Sequence, residues 1–189
     1  VYLNLGLPAA ARPLVERGLE IRRSEYGAEN KEVARSLGTL NRVFEAQGEL
    51  DTAESLARQG LGMNQKLSGS KSLETAGSWC QLGLILYKRY QLNDAEKAFQ
   101  TCLELRTARL GSNSDLVAAP LDSLALIALD QRDYDTAERL YRQAMEIDGR
   151  VHGRDHPQYI RHVHNLALTL RDRGDTREAE ALFRQAIDG

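Results

Sequence analysis

Glycine and alanine recur along this chain at a fixed interval of 42 residues. The glycines are Gly27, Gly69, Gly111 and Gly153, and the alanines are Ala11, Ala53, Ala95, Ala137 and Ala179. A chain that repeats a short unit does not build one central core, because each unit contacts only its neighbours. The period therefore predicts an array of similar units, an architecture that mostly serves protein binding.

Apolar columns around these positions predict two helices in every unit. The first, which we name helix A, carries a leucine column and then a second apolar column: Leu40, Leu82, Leu124 and Leu166, followed by Phe44, Leu86, Ala128 and Leu170. Spacings of three and four residues put side chains on one face of an α-helix. The alanine column lies in a second helix, helix B, with an aromatic column after it at Phe99, Tyr141 and Phe183. Each unit is thus predicted to be an antiparallel helix pair.

Turn residues separate these helices. Asp, Asn and Gly between helix A and helix B favour a tight reversal, and the glycine column can adopt the left-handed conformation that ends helix B. Pro13 and Pro120 fall inside predicted helices, where a proline costs about 3 kcal/mol in a true interior position. We expect both prolines to face solvent.

The columns also predict the domain organisation. Units begin near Lys31, Leu73, Asp115 and Gln158, so residues 1–189 are predicted to be a single array: a partial repeat 1–30 and repeats 31–72, 73–114, 115–157 and 158–189. Residues 1–5 are predicted to be the tail of a helix A. Both ends interrupt a unit and the chain lacks an initiator methionine, so we expect a piece of a longer array.

Composition excludes several function classes. The formal net charge is -2, whereas nucleic-acid binders usually carry a basic excess. No run of about 18 apolar residues exists, which predicts no membrane span. Cys80 and Cys102 are too few for a disulfide framework. They are expected to be free thiols in a reducing cytoplasm, with Cys102 a packing residue.

Residues that could carry chemistry do not form a recognisable site. All four histidines lie close together in the sequence: His152, His156, His162 and His164. Because His162 and His164 point roughly 200° apart on a helix, they cannot bind one metal ion from that helix. Phosphate-binding loops and nucleophile motifs are missing from the sequence. We therefore predict no catalytic residue, no metal, no cofactor and no enzymatic activity.

The second full unit carries a family signature. It reads Trp79-Cys80-Gln81-Leu82-Gly83-Leu84-Ile85-Leu86 and later Ala95-Glu96-Lys97-Ala98-Phe99. This resembles the pattern W-x2-L-G-x2-Y…A-x3-F of tetratricopeptide repeats, with Leu86 at the Tyr position. The 42-residue period and the loop from His152 to Pro157 resemble the kinesin light chain type. Arrays of that type also occur in bacterial signalling proteins such as serine/threonine kinases.

The resemblance implies an all-α, right-handed superhelical solenoid whose A helices line a concave groove. Carried over by position, the groove residues are Arg35, Arg42, Gln81, Leu84, Tyr87, Lys88, Asp122, Leu126, Arg161, His164, Asn165 and Arg171. Asn165 matches an asparagine that the kinesin light chain type uses to hold a peptide backbone.

The groove residues predict the chemistry of a partner. Arginine can bind carboxylates with two hydrogen bonds and tyrosine is a common binding anchor, so we expect a peptide or protein segment with apolar anchors flanked by acidic residues. Two alternatives remain. The arginines could simply solvate an exposed helix face, or the array could self-associate and act as a structural scaffold that regulates a larger signalling protein.

Overall fold

The computed structural model describes residues 7–188, with side chains to residue 186. In this part of the chain there are nine helices and no strand, so the predicted all-α fold is confirmed. The helices are α1 (Pro8–Tyr26), α2 (Lys31–Ala46), α3 (Leu50–Ser68), α4 (Leu73–Lys88), α5 (Leu92–Leu110), α6 (Asp115–Asp130), α7 (Tyr134–Val151), α8 (Pro157–Arg173) and α9 (Thr176–Asp188). The predicted tail of a helix A at residues 1–5 lies outside the described residues.

The helices begin where the repeat predicts them. Helices α2, α4 and α6 start at Lys31, Leu73 and Asp115, and α8 starts one residue before the expected Gln158. The chain divides into two compact units, Val1–Leu105 and Arg106–Gly189. In the first, α2 pairs with α3 and α4 with α5; in the second, α6 pairs with α7 and α8 with α9. That the whole chain acts as a single array stays a prediction.

Small residues let helix A approach helix B closely within a pair. A Cβ placed on Gly83 in α4 would lie 3.1 Å from three atoms of the Phe99 ring in α5. Both residues are buried. The alternation of small and aromatic columns in the sequence is therefore a packing requirement.

The turn from helix A to helix B has the same hydrogen bonds in all four pairs. The residue at the turn has a positive φ: Gly48 (78°), Tyr90 (59°), Arg132 (61°) and Gly174 (106°). The next N–H donates to a carbonyl five residues back: Glu49 to Phe44, Gln91 to Leu86, Asp133 to Ala128 and Asp175 to Leu170, at 2.8–3.0 Å. This bond closes the end of each A helix.

The glycine column at the end of helix B also has positive φ, as predicted. Its ψ differs from the expectation: Gly27 has ψ 169° and Gly69 has ψ 151°, outside the left-handed helical region. Only glycine occupies this conformation readily. The extended ψ directs the chain away from helix B. The next helix A then begins after an N-cap residue whose side chain accepts a hydrogen bond from a backbone N–H of the first turn. Its N-cap is Asn30, Ser72, Ser114 or His156.

Polar contacts with a spacing of 14 residues link α1 to α2, α3 to α4 and α7 to α8. Arg22 donates to Ser36 at 3.1 Å, Asn64 donates to Ser78 at 2.8 Å, and Asp148 lies 3.3 Å from Nε2 of His162. The position equivalent to Ser36 and Ser78 in α6 is Pro120.

Pro120 is buried, so the expectation that it faces solvent was wrong; Pro13 is exposed, as predicted. Pro120 has no N–H to donate to the carbonyl of Leu116. Arg106 supplies the missing hydrogen bond, because its Nη1 donates to that carbonyl at 2.6 Å. Burial lowers the pKa of Arg106. A buried proline is thus accommodated by a side-chain donor from the preceding helix.

Cys80 and Cys102 form a disulfide, which contradicts the prediction of free thiols. The bond joins α4 to α5, and the two Cα atoms lie 5.5 Å apart. That separation is typical of disulfides, and it follows from the close approach of helix A and helix B. The expectation of a cytoplasmic location rested on free thiols and loses that support. No helix among the described residues is long and apolar enough to cross a membrane.

Candidate functional site

The A helices lie side by side within each unit, in a register of 43 residues. In the first unit, a Cβ on Gly38 would lie 3.2 Å from Oε1 of Gln81, and Lys88 forms an ion pair with Glu45. In the second unit, Nδ2 of Asn165 lies 3.5 Å from Oδ1 of Asp122. The same register in both units gives each a two-helix wall built from helices A.

The α2–α4 face, which we define by Gly38, Arg42 and Glu45 on α2 and by Gln81, Leu84 and Lys88 on α4, combines apolar and cationic groups. Arg42 and Leu84 each lie, by helical spacing, between the Gly38–Gln81 contact and the Glu45–Lys88 ion pair. Leu84 is 41% exposed. Among the described residues, no side-chain hydrogen bond or ion pair engages Arg42, whereas Lys88 is paired with Glu45. The unpaired cation of this face is therefore Arg42.

The α6–α8 wall of the second unit is arranged differently, because its acidic residue is buried. Oδ2 of Asp122 accepts a hydrogen bond from Nη1 of Arg161 at 2.6 Å. Gln158 Oε1 accepts from Nη2 of Arg161 at 2.8 Å. The guanidinium is held in place on both sides, and its charge is partly compensated by Asp122.

Below this wall lies a buried group of titratable side chains. The imidazole of His162 is almost fully buried, with Nε2 3.3 Å from Oδ2 of Asp148 and Nδ1 3.9 Å from Oδ1 of Asp122. Burial lowers the pKa of His162 and the charge of Arg161 acts in the same direction, while the two aspartates oppose it. The imidazole is therefore favoured in its neutral form.

The twelve residues predicted for the groove fall into three groups by burial. Seven are exposed: Arg35, Arg42, Leu84, Lys88, Arg161, His164 and Arg171. Four are half-buried: Gln81, Tyr87, Leu126 and Asn165. Only Asp122 is buried. Arg35 is paired with Glu32 on its own helix at 2.9 Å, and Arg171 with Asp172 at 2.8 Å. The ligand-binding role of all twelve stays a prediction.

The α8–α9 hollow is a concave surface of about 560 Å³ in the second unit. Its lining is mostly apolar and includes one arginine: Pro157, Ile160, Arg161, His164, Phe183 and Ala186. The His164 ring meets the edge of Phe183 with centroids 5.6 Å apart. Sequence reasoning assigned Arg161 and His164 to the groove and did not identify the hollow.

The four histidines are divided among three surroundings, and His152 and His162 both lie near Asp148, at 4.0 and 3.3 Å. His152 stacks on His156 with ring centroids 4.5 Å apart, His162 lies between aspartates, and His164 contacts Phe183. In the described part of the chain, no group of three His, Cys, Asp or Glu side chains could hold a metal ion. Sequence reasoning missed the Asp122–His162–Asp148 group. The spacing of 14 residues from helix B to the next helix A was the signal that could have revealed its Asp148–His162 half.

Solved structures with the same fold support this description. A putative kinesin light chain from Podosopora anserina with nearly identical TPR-like repeats matches 99% of this chain and 88% of its own, at 21% identity and a TM-score of 0.81. BtubC (BKLC) from P. vanneervenii matches 99% of this chain and 74% of its own, at 21% identity and a TM-score of 0.86. RapI in its apo form matches 88% of this chain and 58% of its own, at 16% identity and a TM-score of 0.76.

The repeats of this chain match one protein family. Among curated proteins, none matches this chain significantly. The sequence profile described as Tetratricopeptide repeat matches residues 1–66, 74–149 and 121–189, which together span most of the chain. The solved structures similar to this chain include kinesin light chain-like repeat proteins, in agreement with the resemblance in the sequence. The chain belongs to the tetratricopeptide repeat family.

Proposed function

We propose that the α2–α4 face binds a peptide segment of a partner protein, with apolar anchors next to acidic residues, and that the protein catalyses no reaction. The tetratricopeptide fold is typical of protein–protein interaction modules. The observation that carries the proposal is that Arg42, a cation without an ion-pair partner among the described residues, and Leu84, an exposed leucine, lie on the same face.

The position of Leu84 on the α2–α4 face matters more than its exposure. A single exposed leucine is ordinary on a protein surface. Here Leu84 lies in the same stretch of the face as Arg42, and the contacts at Gly38–Gln81 and Glu45–Lys88 fix α2 against α4 on both sides. A rigid wall loses little conformational entropy on binding. An arginine without a partner can donate two parallel hydrogen bonds to a ligand carboxylate.

The second unit is expected to contribute less selectivity for acidic ligands. Arg161 already donates to Asp122 and Gln158, so a ligand carboxylate at Arg161 would compete with them. Leu126 and Asn165 are half-buried on the same wall and would add apolar and amide contacts.

The test is a selection from two peptide libraries of equal length. Each peptide carries two Leu or Phe residues, flanked by Asp and Glu in one library and by Lys and Arg in the other. We expect the protein to enrich the acidic library, and Arg42→Glu to shift enrichment to the basic one. Truncating Leu84 to Ser should weaken the selected acidic peptide by about tenfold in fluorescence anisotropy, since an anchor residue is worth about 1.4 kcal/mol or more.

Two matched variants serve as controls. Arg17→Glu reverses the charge of an exposed arginine on α1. Leu110→Ser truncates a leucine at the end of α5 whose exposure, 38%, is similar to that of Leu84. Both should leave the selected peptide's affinity unchanged. Equal enrichment of the two libraries, or an affinity that is insensitive to both Arg42→Glu and Leu84→Ser, would refute the proposal.

A further inference from the structure

The aspartate that holds Arg161 also faces the buried imidazole of His162. One oxygen of the Asp122 carboxylate, Oδ2, accepts a hydrogen bond from Nη1 of Arg161 at 2.6 Å. The other oxygen, Oδ1, lies 3.9 Å from Nδ1 of His162, and that nitrogen has no hydrogen-bond partner in the part of the chain that the structure describes. The carboxylate therefore lies between a permanent cation and a group that becomes a cation when it binds a proton.

The second imidazole nitrogen, Nε2, has two neighbours with opposite requirements. Oδ2 of Asp148 lies 3.3 Å from it and needs a donor, whereas Nη2 of Arg161 lies 3.4 Å from it and needs an acceptor. A neutral imidazole has one nitrogen with a proton and one without, so Nε2 can satisfy only one of these neighbours. In the protonated ring both nitrogens are donors. Nε2 then donates to Asp148 and no longer accepts from Arg161.

Protonation of His162 therefore acts against the position of Arg161 in three ways. It removes the acceptor that faces Nη2, and it gives Nδ1 a proton that competes for Asp122. It also places a positive charge beside the guanidinium, and like charges repel one another. Burial lowers the pKa of His162 and the charge of Arg161 lowers it further, so the ring binds its proton below pH 6.5.

Charged groups from each packed helix determine this titration. Asp122 comes from α6 and Asp148 from α7, and both carboxylates favour the protonated ring. His152, at the end of α7, lies 4.0 Å from the carboxylate of Asp148. The charged residues of α9 that form ion pairs have other partners: Glu178 binds Arg142 and Glu180 binds Arg184.

A released Arg161 would remain on the α6–α8 wall. Its Nη2 and Nε donate to Oε1 of Gln158 at 2.8 and 3.2 Å, and Gln158 carries no charge. The Arg161 side chain is already 44% exposed. Without Asp122, the guanidinium would therefore keep its place and could donate charge-assisted hydrogen bonds to a ligand carboxylate.

We propose that proton binding by His162 releases Arg161 from Asp122, and that the α6–α8 wall then binds a ligand carboxylate more tightly in acidic than in neutral solution. This inference rests on the acidic ligand chemistry of the proposed function and extends it to a second wall under the control of pH. At neutral pH the pair of Arg161 and Asp122 stays closed. Because the two equilibria are linked, a bound carboxylate in turn favours the protonated His162.

Nuclear magnetic resonance of the arginine side chains tests the release without any ligand. The two Nη nitrogens of a guanidinium exchange by rotation about the Cζ–Nε bond, and Arg161→Lys identifies the signal of Arg161. From about pH 7.5 to about pH 5.0 we expect this exchange to accelerate by about tenfold, since a charge-assisted hydrogen bond is lost. His162→Gln should keep the exchange slow at both pH values, and Asp122→Asn should make it fast at both.

Affinity for a fixed acidic peptide tests the binding step. The probe is a fluorescent peptide of alternating glutamate and leucine, and the protein carries Arg42→Glu to remove the cation of the α2–α4 face. Glutamate stays mostly ionised at about pH 5.0. We expect the affinity in fluorescence anisotropy to rise by about tenfold from about pH 7.5 to about pH 5.0. Adding His162→Gln should keep the affinity low, and adding Asp122→Asn should raise it already at neutral pH.

Three results would overturn the inference. The first is a rotation of Arg161 that does not change with pH, and the second is a gain in affinity that persists in His162→Gln. The third is release of Arg161 without any gain in affinity. Circular dichroism of each variant at both pH values checks that the helices remain folded. Failure of the proposed function at the α2–α4 face would leave both readouts intact, because that face is disabled in the binding test and no peptide is present in the rotation test.

Discussion

At the scale of single residues, Gly83 and Gly62 form a natural pair for measuring the packing between helix A and helix B. Both lie inside helices, but Gly83 faces the Phe99 ring and Gly62 faces open space. Gly62→Ala should raise the free energy of unfolding by about 0.5–1 kcal/mol, because alanine is the better helix former. In Gly83→Ala the same gain is offset by an overpacking cost of about 1–3 kcal/mol.

Urea unfolding of the two variants checks this difference. We expect Gly62→Ala to be more stable and Gly83→Ala to be less stable than the parent protein. A stabilisation of similar size in both would mean that Gly83 is not required for the approach of α4 to α5. The first full repeat has Asn41 and Ala57 where the second has Gly83 and Phe99. The larger side chain of the pair is therefore on helix A in the first full repeat (Asn41) and on helix B in the second (Phe99).

The buried imidazole of His162 predicts how stability depends on pH. Burial lowers its pKa in the folded protein below the ordinary value of 6.5. The unfolded chain therefore binds more protons than the folded one as pH falls below about 6.5, and the free energy of unfolding decreases in that window. Stability from the neutral imidazole is fully present above pH 6.5, and it diminishes as pH falls towards the folded pKa.

Urea unfolding at about pH 7.5 and pH 5.5 tests this sign. His162→Gln should show a smaller loss of stability between the two pH values than the parent protein, since glutamine does not titrate. The account fails if His162→Gln retains the full pH dependence.

At the scale of helices and turns, two residues occupy a conformation better suited to glycine. Tyr90 and Arg132 have φ near +60°, at the position where the other two A-to-B turns have Gly48 and Gly174. A non-glycine residue in this region costs about 1 kcal/mol. Tyr90→Gly and Arg132→Gly should therefore each raise the free energy of unfolding by about 0.5–1 kcal/mol.

Thermal unfolding of the two variants measures this effect, and Gly48→Ala is the reciprocal control. We expect a higher midpoint for Tyr90→Gly and Arg132→Gly and a lower one for Gly48→Ala. If all three substitutions lowered the midpoint, side-chain contacts of Tyr90 and Arg132 would outweigh the backbone cost.

Helix boundaries could be predicted from the sequence because they depend on local signals. Asn30, Ser72 and Ser114 cap helices at the expected starts. The disulfide and the burial of Pro120 could not be predicted in this way. Both depend on which side chains of neighbouring helices meet: Cys80 meets Cys102 across a helix pair, and Arg106 reaches the carbonyl that Pro120 leaves free.

At the scale of the whole molecule, the apolar columns predicted helix pairs, and the resemblance of the small and large residues in those columns to the tetratricopeptide signature implied the all-α solenoid and the family. The period identifies the helices that form a wall but does not identify the residues that remain free to bind. Asp122 and Arg161 were both predicted for the groove, yet they bind each other. Arg42 has no such partner among the described residues. The difference depends on contacts between neighbouring repeats, where the sequence departs from its own period.

Hydrogen exchange of the complex with the selected acid-flanked peptide tests the central claim most directly. Ligand contact with the α2–α4 face should slow amide exchange in the proteolytic fragments of the protein that contain Arg42 and Leu84. The exchange rates of the exposed residues of α3 should stay unchanged. Arg42→Glu should abolish this protection at the same peptide concentration. Protection confined to helices B, or protection of α2 and α4 that persists in Arg42→Glu, would contradict the account.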